Sequence, residues 1–290
     1  MSEKGGWPPR ISLFQVVVAI VVVSALFIGY IFATLPPRGL APSNTVQQGD
    51  SVKVDYIAYF GDGLVFDTSM EEVAKNDASY PKALSFELRD SYRPLEFDIT
   101  ESGGSVIRGF AEGVLGMREE ETRVIEVPPE KGYGSPDPSL IEVRPLVVDM
   151  PLLEDLIVSD FQARFGRPPE EGLTLKDPFW KWNVTIISLS DDFVTIMNLP
   201  EQGLVIRPYE TWQARVMEVD SSASDGLGVV VIRHLLGIGD IDRVKGEDNR
   251  GSFRVVDVDL EAGTYTVDYN REVVGTTLFF RVTLLTIVRF

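Results

Sequence analysis

Alternating apolar and polar residues predict strands at several places along the chain. The clearest case is residues 51–59, where one face carries Val52, Val54, Tyr56 and Ala58. The same period of two places alternate apolar residues on one face of residues 122–127 and of a long final strand, residues 275–290. This pattern predicts antiparallel strands with one buried face.

A short helix interrupts the strand pattern at residues 109–116. Phe110 and Val114 fall on one face at the helical spacing. The strand that follows ends at Pro128, because proline cannot donate to a strand ladder. A tight loop then presents Tyr133 between two glycines. We therefore predict a single short helix against a sheet, next to loops that carry apolar and aromatic side chains.

Residues 151–270 have a different pattern. Three segments there, residues 179–198, 211–233 and 252–270, each contain an alternating strand, an acidic or glycine turn and a second alternating strand. They predict three β-hairpins, arranged as a small barrel or a sandwich.

Residues 11–35 form a long apolar run without a charged residue. About 20 apolar residues cross a bilayer, whereas a cleaved signal peptide has an apolar core of roughly 7 to 15 residues. An uncleaved transmembrane helix is favoured over a signal peptide. Lys4 and Arg10 precede the run, and Arg38 follows it closely. Positive charges favour the cytoplasmic side of a membrane helix, so this difference of one charge predicts that the N-terminus lies in the cytoplasm. Residues 36–47 are rich in Pro, Gly and Ser and predict an extended tether.

The composition excludes several classes of function. A net charge of −17 argues against nucleic-acid binding, which requires a basic surface. The chain contains no cysteine, which excludes disulfides and thiolate chemistry. It contains one histidine, His234, which excludes multi-histidine metal sites. No P-loop, dinucleotide fingerprint or Gly-x-Ser-x-Gly motif is present. An enzyme of this composition must work without these groups, and rotation about a prolyl amide, which breaks no covalent bond, is one reaction that qualifies.

Six segments, in order and with matching spacing, resemble FKBP-type peptidyl-prolyl cis-trans isomerases. They are Val54–Tyr56, Val65–Ser69, Pro94–Phe97, Val106–Phe110 with Glu112–Gly113 and Gly116–Met117, Val127–Glu130 with Tyr133–Gly134, and Thr277–Phe280 with Val282 and Leu284–Leu285. The long excursion after Asp67 and the interruption before the last strand resemble the archaeal and SlyD-like branch. That branch carries an inserted β-rich chaperone domain called insert-in-flap.

The resemblance implies an α+β fold. An antiparallel FKBP half-barrel would wrap on one short helix, with an inserted β-rich domain and one N-terminal transmembrane helix. The implied domains are a cytoplasmic tail (residues 1–10), a transmembrane anchor (11–35), a linker (36–47), an isomerase domain (48–148 and 271–290) and an inserted chaperone-like domain (149–270).

The resemblance also implies a pocket for a proline ring. The expected catalytic residues are Asp67, Tyr133, Ile107 and Phe110. The N–H of Ile107 and the hydroxyl of Tyr133 would hold substrate carbonyls, and Asp67 would face the twisting carbonyl. Phe110 stands where the family often has tryptophan. The expected substrate-binding residues are Tyr56, Phe66, Leu95, Phe97, Val106, Val274 and Phe280. No cofactor and no metal are expected.

The first functional hypothesis is a membrane-anchored isomerase and folding chaperone. It would act on unfolded or proline-containing polypeptides, as a single-pass protein whose soluble domains lie outside the cytoplasm. The alternative is a non-catalytic holdase that binds unfolded chains through the insert. Candidates for an apolar patch there are Trp180, Trp182, Phe193 and Trp212, for which core packing is an equal alternative. A third hypothesis is a structural module of a membrane complex.

Overall fold

The computed structural model describes residues 44–101 and 103–289, and the residues from Val46 onward belong to one unit. Its strands are β1 (Ser51–Tyr59), β2 (Val65–Thr68), β3 (Leu95–Asp98), β4 (Thr122–Val127), β5 (Ile141–Pro145), β6 (Val147–Pro151), β7 (Leu153–Ile157), β8 (Thr174–Lys176), β9 (Asn183–Leu189), β10 (Phe193–Leu199), β11 (Val205–Ile206), β12 (Ala214–Asp220), β13 (Val229–His234), β14 (Lys245–Asp248), β15 (Gly251–Asp259), β16 (Thr264–Asp268) and β17 (Leu278–Val288). Its α-helices are α1 (Glu71–Ala74), α2 (Arg108–Val114) and α3 (Val158–Phe165). Short 3₁₀ turns occur at Pro129–Lys131, Pro138–Leu140, Ser224–Gly226 and Ile238–Asp240. The described fold is therefore mostly β with few helices.

The first sheet has the order β2-β1-β17-β4, and β3 also pairs with β1. All of these pairings are antiparallel, with Tyr56 opposite Val282 and Ala58 opposite Phe280. The predicted alternation is confirmed, because the apolar faces of β1 and β17 are both buried in one core. This core is where the aromatic side chains of the site converge.

Helix α2 covers that core and confirms the predicted short helix. It buries Phe110 and Val114 and lies very close to β4. A methyl group at Gly113 would lie 2.2 Å from Cγ2 of Ile125, and one at Gly109 would lie 2.6 Å from Cγ1 of Val127. Two glycines four residues apart therefore let the backbone of the helix approach the sheet.

The remaining strands form three four-stranded antiparallel sheets with the same plan. Their orders are β7-β10-β9-β8, β11-β12-β13-β6 and β14-β15-β16-β5. In each, a hairpin and one short strand join a strand from the extended segment of residues 141–157. The three predicted hairpins are confirmed as β9–β10, β12–β13 and β15–β16. One core, around Val184, Ile186 and Ile232, is shared by the first two of these sheets.

The three sheets also repeat in their hydrogen bonding. In each, a leucine carbonyl just before the edge strand accepts an N–H from the end of the hairpin's second strand. The pairs are Asn198 N to Leu152 O at 2.8 Å, His234 N to Leu146 O at 2.8 Å and Tyr269 N to Leu140 O at 2.9 Å. The three leucines are spaced six residues apart, so one extended segment presents the same contact to three successive sheets.

Two of the tryptophans occupy equivalent buried positions in this repeat. The indole N–H of Trp182 donates to Oδ1 of Asn198 at 2.9 Å, and that of Trp212 donates to Nδ1 of His234 at 3.2 Å. Burial satisfied by a hydrogen bond is typical of core tryptophan. The suggestion that Trp182 and Trp212 belong to an exposed apolar patch is therefore wrong. Phe193, in contrast, is 54% exposed.

Some of the predictions fall on residues that are not described. The anchor at residues 11–35 lies outside the described residues. Among the helices that are described, none is long and apolar enough to span a membrane. The division into an isomerase domain and an insert stays a prediction, although β5 and β6 both pair with strands of the later segment.

Candidate active site

An aromatic cluster lies where α2 meets the first sheet. The ring of Phe110 is 5.0 Å from that of Phe280 in a T-shaped contact and 5.5 Å from that of Phe97. The ring of Tyr56 meets Phe110 edge-on at 6.2 Å. All four side chains are buried. They come together because β1, β3 and β17 point alternate side chains at the face of α2 that carries Phe110.

Smaller apolar side chains surround this cluster. Leu95, Val106 and Ile107 are partly buried against it, and Phe66 makes a T-shaped contact with Phe280 at 5.9 Å. Ile107 is the residue before α2, and its carbonyl accepts the N–H groups of the helix's first turn. Within the described part of the chain, no acceptor is bonded to the N–H of Ile107.

Asp67 is held at the edge of the cluster by several donors. The hydroxyl of Tyr56 donates to Oδ2 at 2.7 Å, and the N–H of Thr68 donates to Oδ1 at 2.8 Å. Nη2 of Arg89 lies 3.1 Å from Oδ1 and also donates to the carbonyl of Thr68. The carboxylate is therefore fixed in orientation, yet its side chain stays 46% exposed.

The electrostatics of this group follow from burial. Burial raises the pKa of the Tyr56 phenol well above its usual range, and the negative charge and hydrogen bond of Asp67 raise it further. Tyr56 therefore remains a neutral hydrogen-bond donor over the physiological pH range. Sequence reasoning missed Arg89, because it lies in the polar excursion after β2 and no local pattern distinguishes it from the other arginines.

A cleft of about 580 Å³ opens beside the cluster. Phe66, Asp67 and Tyr133 line one part of it, and residues from β14 to β16 line another. Tyr133 is 40% exposed, and its hydroxyl has no hydrogen-bond partner among the residues that the structure describes. The guanidinium of Arg271 lies over the Tyr133 ring at 5.1 Å.

The structure brings together most of the residues expected from the sequence. Tyr56, Phe66, Leu95, Phe97, Val106, Ile107, Phe110 and Phe280 belong to one apolar cluster. Asp67 and Tyr133 share the adjoining cleft with Phe66. Val274 lies in neither group, whereas its neighbour Val273 is buried in the cluster and also lines the cleft. The N–H of Val274 bonds to the carbonyl of Arg271, which makes a turn just before β17.

The chemistry available here is that of an apolar pocket with a polar rim. Among the described residues, no group of three or more His, Cys, Asp or Glu side chains is placed to hold a metal ion. The aromatic floor suits an apolar ring, and the donors at the rim, the N–H of Ile107 and the hydroxyl of Tyr133, suit peptide carbonyls. Such a site can remove water from a bound amide.

Comparison with known proteins identifies the family. The model of the family described as FKBP-type peptidyl-prolyl cis-trans isomerase matches residues 43–145. The chain is 38% identical over 154 residues to the short-type peptidyl-prolyl cis-trans isomerase of Methanocaldococcus jannaschii, covering 53% of this chain and 82% of that protein. It is 29% identical over 153 residues to FK506-binding protein 2 of Yarrowia lipolytica, covering 46% of this chain and 91% of that protein. The chain therefore belongs to the FKBP-type peptidyl-prolyl cis-trans isomerase family and is an isomerase of that type.

Proposed function

We propose that the substrate proline ring binds on Phe110, between Phe97, Tyr56 and Phe280. The observation that carries this proposal is the convergence of these rings beside a carboxylate, Asp67, that is fixed but still reachable. Val106 and Leu95 complete the apolar wall, and the pocket belongs to the half-barrel expected of the family.

The proposed mechanism is desolvation of the amide. Resonance gives the amide a rotation barrier of about 18–20 kcal/mol. Water stabilises the planar, charge-separated amide, so an apolar pocket favours the twisted state, whose dipole is smaller. A rate increase of about 10³- to 10⁵-fold requires about 4–7 kcal/mol, and only interactions specific to the twisted state contribute.

The polar rim supplies the orientation that this mechanism requires. The N–H of Ile107 and the hydroxyl of Tyr133 each bind a substrate carbonyl. Asp67 faces the carbonyl that rotates. The absence of another bonding partner for Ile107 N–H and Tyr133 Oη within the described residues supports these roles.

The test is prolyl isomerisation by the full-length chain in detergent, on a refolding substrate limited by one proline. We expect acceleration by the wild type and a loss of about tenfold or more in kcat/KM for Asp67→Ala, with a smaller loss for Tyr133→Phe. Arg233→Gln, on β13 and outside the cleft, is the matched surface control. A folded wild type without acceleration would exclude this site as the catalytic pocket.

A chaperone role is proposed for the segment that follows β4. Phe193, Ile157 and Leu189 are all exposed at one end of the sheet that contains β9 and β10, and Phe193 pairs with Ile157 across two strands. Such side chains suit apolar segments of unfolded polypeptides. This observation supports a chaperone activity beside isomerisation. Phe193→Ser is expected to weaken suppression of client aggregation while isomerisation of a short peptide is unchanged.

The proposed location is the cell membrane, with residues 11–35 as a single-pass anchor and the rest outside the cytoplasm. The proposal rests on the uncharged apolar run and the charges that flank it. A topology reporter fused after Phe290 tests it. A reporter signal that comes from the cytoplasm would contradict the proposed orientation.

A further inference from the structure

Half of the charged side chains that line the cleft beside the pocket have an oppositely charged partner among the described residues. Asp67 pairs with Arg89, and Oδ2 of Asp268 lies 2.8 Å from Nη2 of Arg254. Arg271 differs from these arginines. Among the described residues, no carboxylate lies within 4.0 Å of its guanidinium, which is exposed on the cleft.

Arg271 lies directly beside a group with an assigned role in the proposed function. Its guanidinium covers the Tyr133 ring at 5.1 Å, and the hydroxyl of Tyr133 is also without a bonded partner in the described part of the chain. Guanidinium presents a planar fork of donors that matches a carboxylate. Tyr133 can therefore donate to a carbonyl, and the adjacent Arg271 can bind a carboxylate.

The backbone around this pair is tied across the chain. The side-chain amide of Asn270 accepts the N–H of Asp137 at 2.9 Å and donates to the carbonyl of the same residue at 3.0 Å. Asn270 precedes Arg271, and Asp137 follows Tyr133 by one short loop. These two hydrogen bonds hold the loops of Tyr133 and Arg271 next to each other. The contact between the two side chains is therefore fixed by the backbone around it.

We propose that Arg271 is a specificity-determining residue that binds the carboxylate of an Asp or Glu close to the substrate proline. The inference rests on the proposed function, because it places a substrate carbonyl at Tyr133. An extended peptide advances about 3.3–3.6 Å per residue. A carboxylate at Arg271 therefore belongs to a residue within about two positions of the proline.

The charges that line the cleft balance each other, in contrast to the acidic protein as a whole. The ammonium of Lys245, also on the cleft, donates to the carbonyl of Leu84 at 3.1 Å, and no carboxylate of the described residues lies within 4.0 Å of it. The carboxylate of Glu272 accepts the N–H of Ser85 at 2.8 Å, which directs it to that backbone group. Glu87 is an exposed acid on the same cleft. Within the described residues, two cations without carboxylate partners thus offset two acids without a cation, so the cleft carries no net negative charge that would repel a carboxylate.

The experiment compares prolyl peptides that differ only by Glu or Gln at the positions flanking the proline, using the full-length protein at low and high salt. We expect kcat/KM to be about two- to fivefold higher for the best Glu peptide than for its Gln counterpart, as for an exposed ion pair. The gain should lie in KM, because the carboxylate is remote from the rotating bond, and should shrink at high salt.

Three variants separate a specific role from a structural one. Arg271→Gln should bring the Glu-to-Gln ratio to about one, Arg271→Lys should restore part of it, and Arg233→Gln should leave it at the wild-type value. Acceleration of both peptides with equal kcat/KM in the wild type overturns the role of Arg271 and leaves the proposed pocket intact. Acceleration of neither peptide by the folded protein rejects the pocket itself.

Discussion

Replacing Tyr56 with phenylalanine tests whether the orientation of Asp67 matters for catalysis. The substitution removes one hydroxyl and keeps the ring that packs edge-on against Phe110. It deletes the 2.7 Å hydrogen bond to Oδ2 of Asp67 and leaves the contacts of Thr68 and Arg89 with Oδ1. The carboxylate therefore loses the support of one oxygen only.

The size of the effect on stability depends on how far each partner of this hydrogen bond is buried. A hydrogen bond to a charged group contributes about 1.5–3 kcal/mol when it is buried. The Tyr56 phenol is buried, but the Asp67 side chain is 46% exposed, so water replaces part of the lost bond. We expect the free energy of unfolding to fall by about 0.5–1.5 kcal/mol. A similar loss in the transition state lowers kcat/KM by about two- to thirteenfold.

The assay pairs urea unfolding with prolyl isomerisation of a short peptide. Tyr59→Phe is the matched control, because it removes a phenol hydroxyl from the same strand while the ring still stacks on Phe279. A cycle with Asp67→Asn measures the coupling between the two side chains. If Tyr56→Phe lowers stability as expected but kcat/KM stays within twofold of the wild type, the orientation of Asp67 does not limit rotation and the reasoning fails.

Two further predictions concern stability. Gly113→Ala gains about 1 kcal/mol of helix propensity but forces a methyl to within 2.2 Å of Cγ2 of Ile125, and overpacking costs about 1–3 kcal/mol. We expect a lower midpoint of thermal unfolding, whereas Gly239→Ala, with open space around its added methyl, should change it little. Burial lowers the pKa of His234 to about 4. The unfolded chain therefore binds more protons between pH 6.5 and 4, and stability should fall by up to about 3 kcal/mol as the pH drops through this window. Urea unfolding should show a smaller decrease for His234→Asn, which keeps an acceptor for Trp212 and does not titrate.

The parts of the fold that could be predicted depend on local periodicity. The strands β1 and β17 and the glycine-bounded helix each bury one face. In β1 and β17 every second residue is therefore apolar, and in the helix the apolar residues recur every three to four positions. The three hairpins were predictable for the same reason, since each pairs two neighbouring segments through one turn. The apolar floor of the site followed from the resemblance, because its residues occur in recognisable segments.

The features that were missed depend on contacts between distant parts of the chain. Arg89 reaches Asp67 from a polar excursion, and Arg271 reaches Tyr133 across the whole intervening segment. Neither arginine has a local signature. The resemblance implied Val274 as a pocket residue, but the turn before β17 buries its neighbour Val273 in the cluster.

The chain leaves the first sheet after β4 and returns to it at β17, and the geometry of this crossing predicts different effects for substitutions in different sheets. The N–H of Gly275 bonds to the carbonyl of Gly134 at 2.8 Å, and a methyl group at Gly275 would lie 2.8 Å from Cδ of Pro136. With the bonds between Asn270 and Asp137, this contact fixes the crossing next to Tyr133. The sheet of β14 to β16 and β5 lies directly beyond it and forms part of the cleft, whereas the other two sheets contribute no residue to that cleft. Substitutions on β14 to β16 should therefore alter which peptides are turned over. Substitutions on the exposed faces of β9 and β10 should alter capture of unfolded chains, with the rate of rotation in a short peptide unchanged.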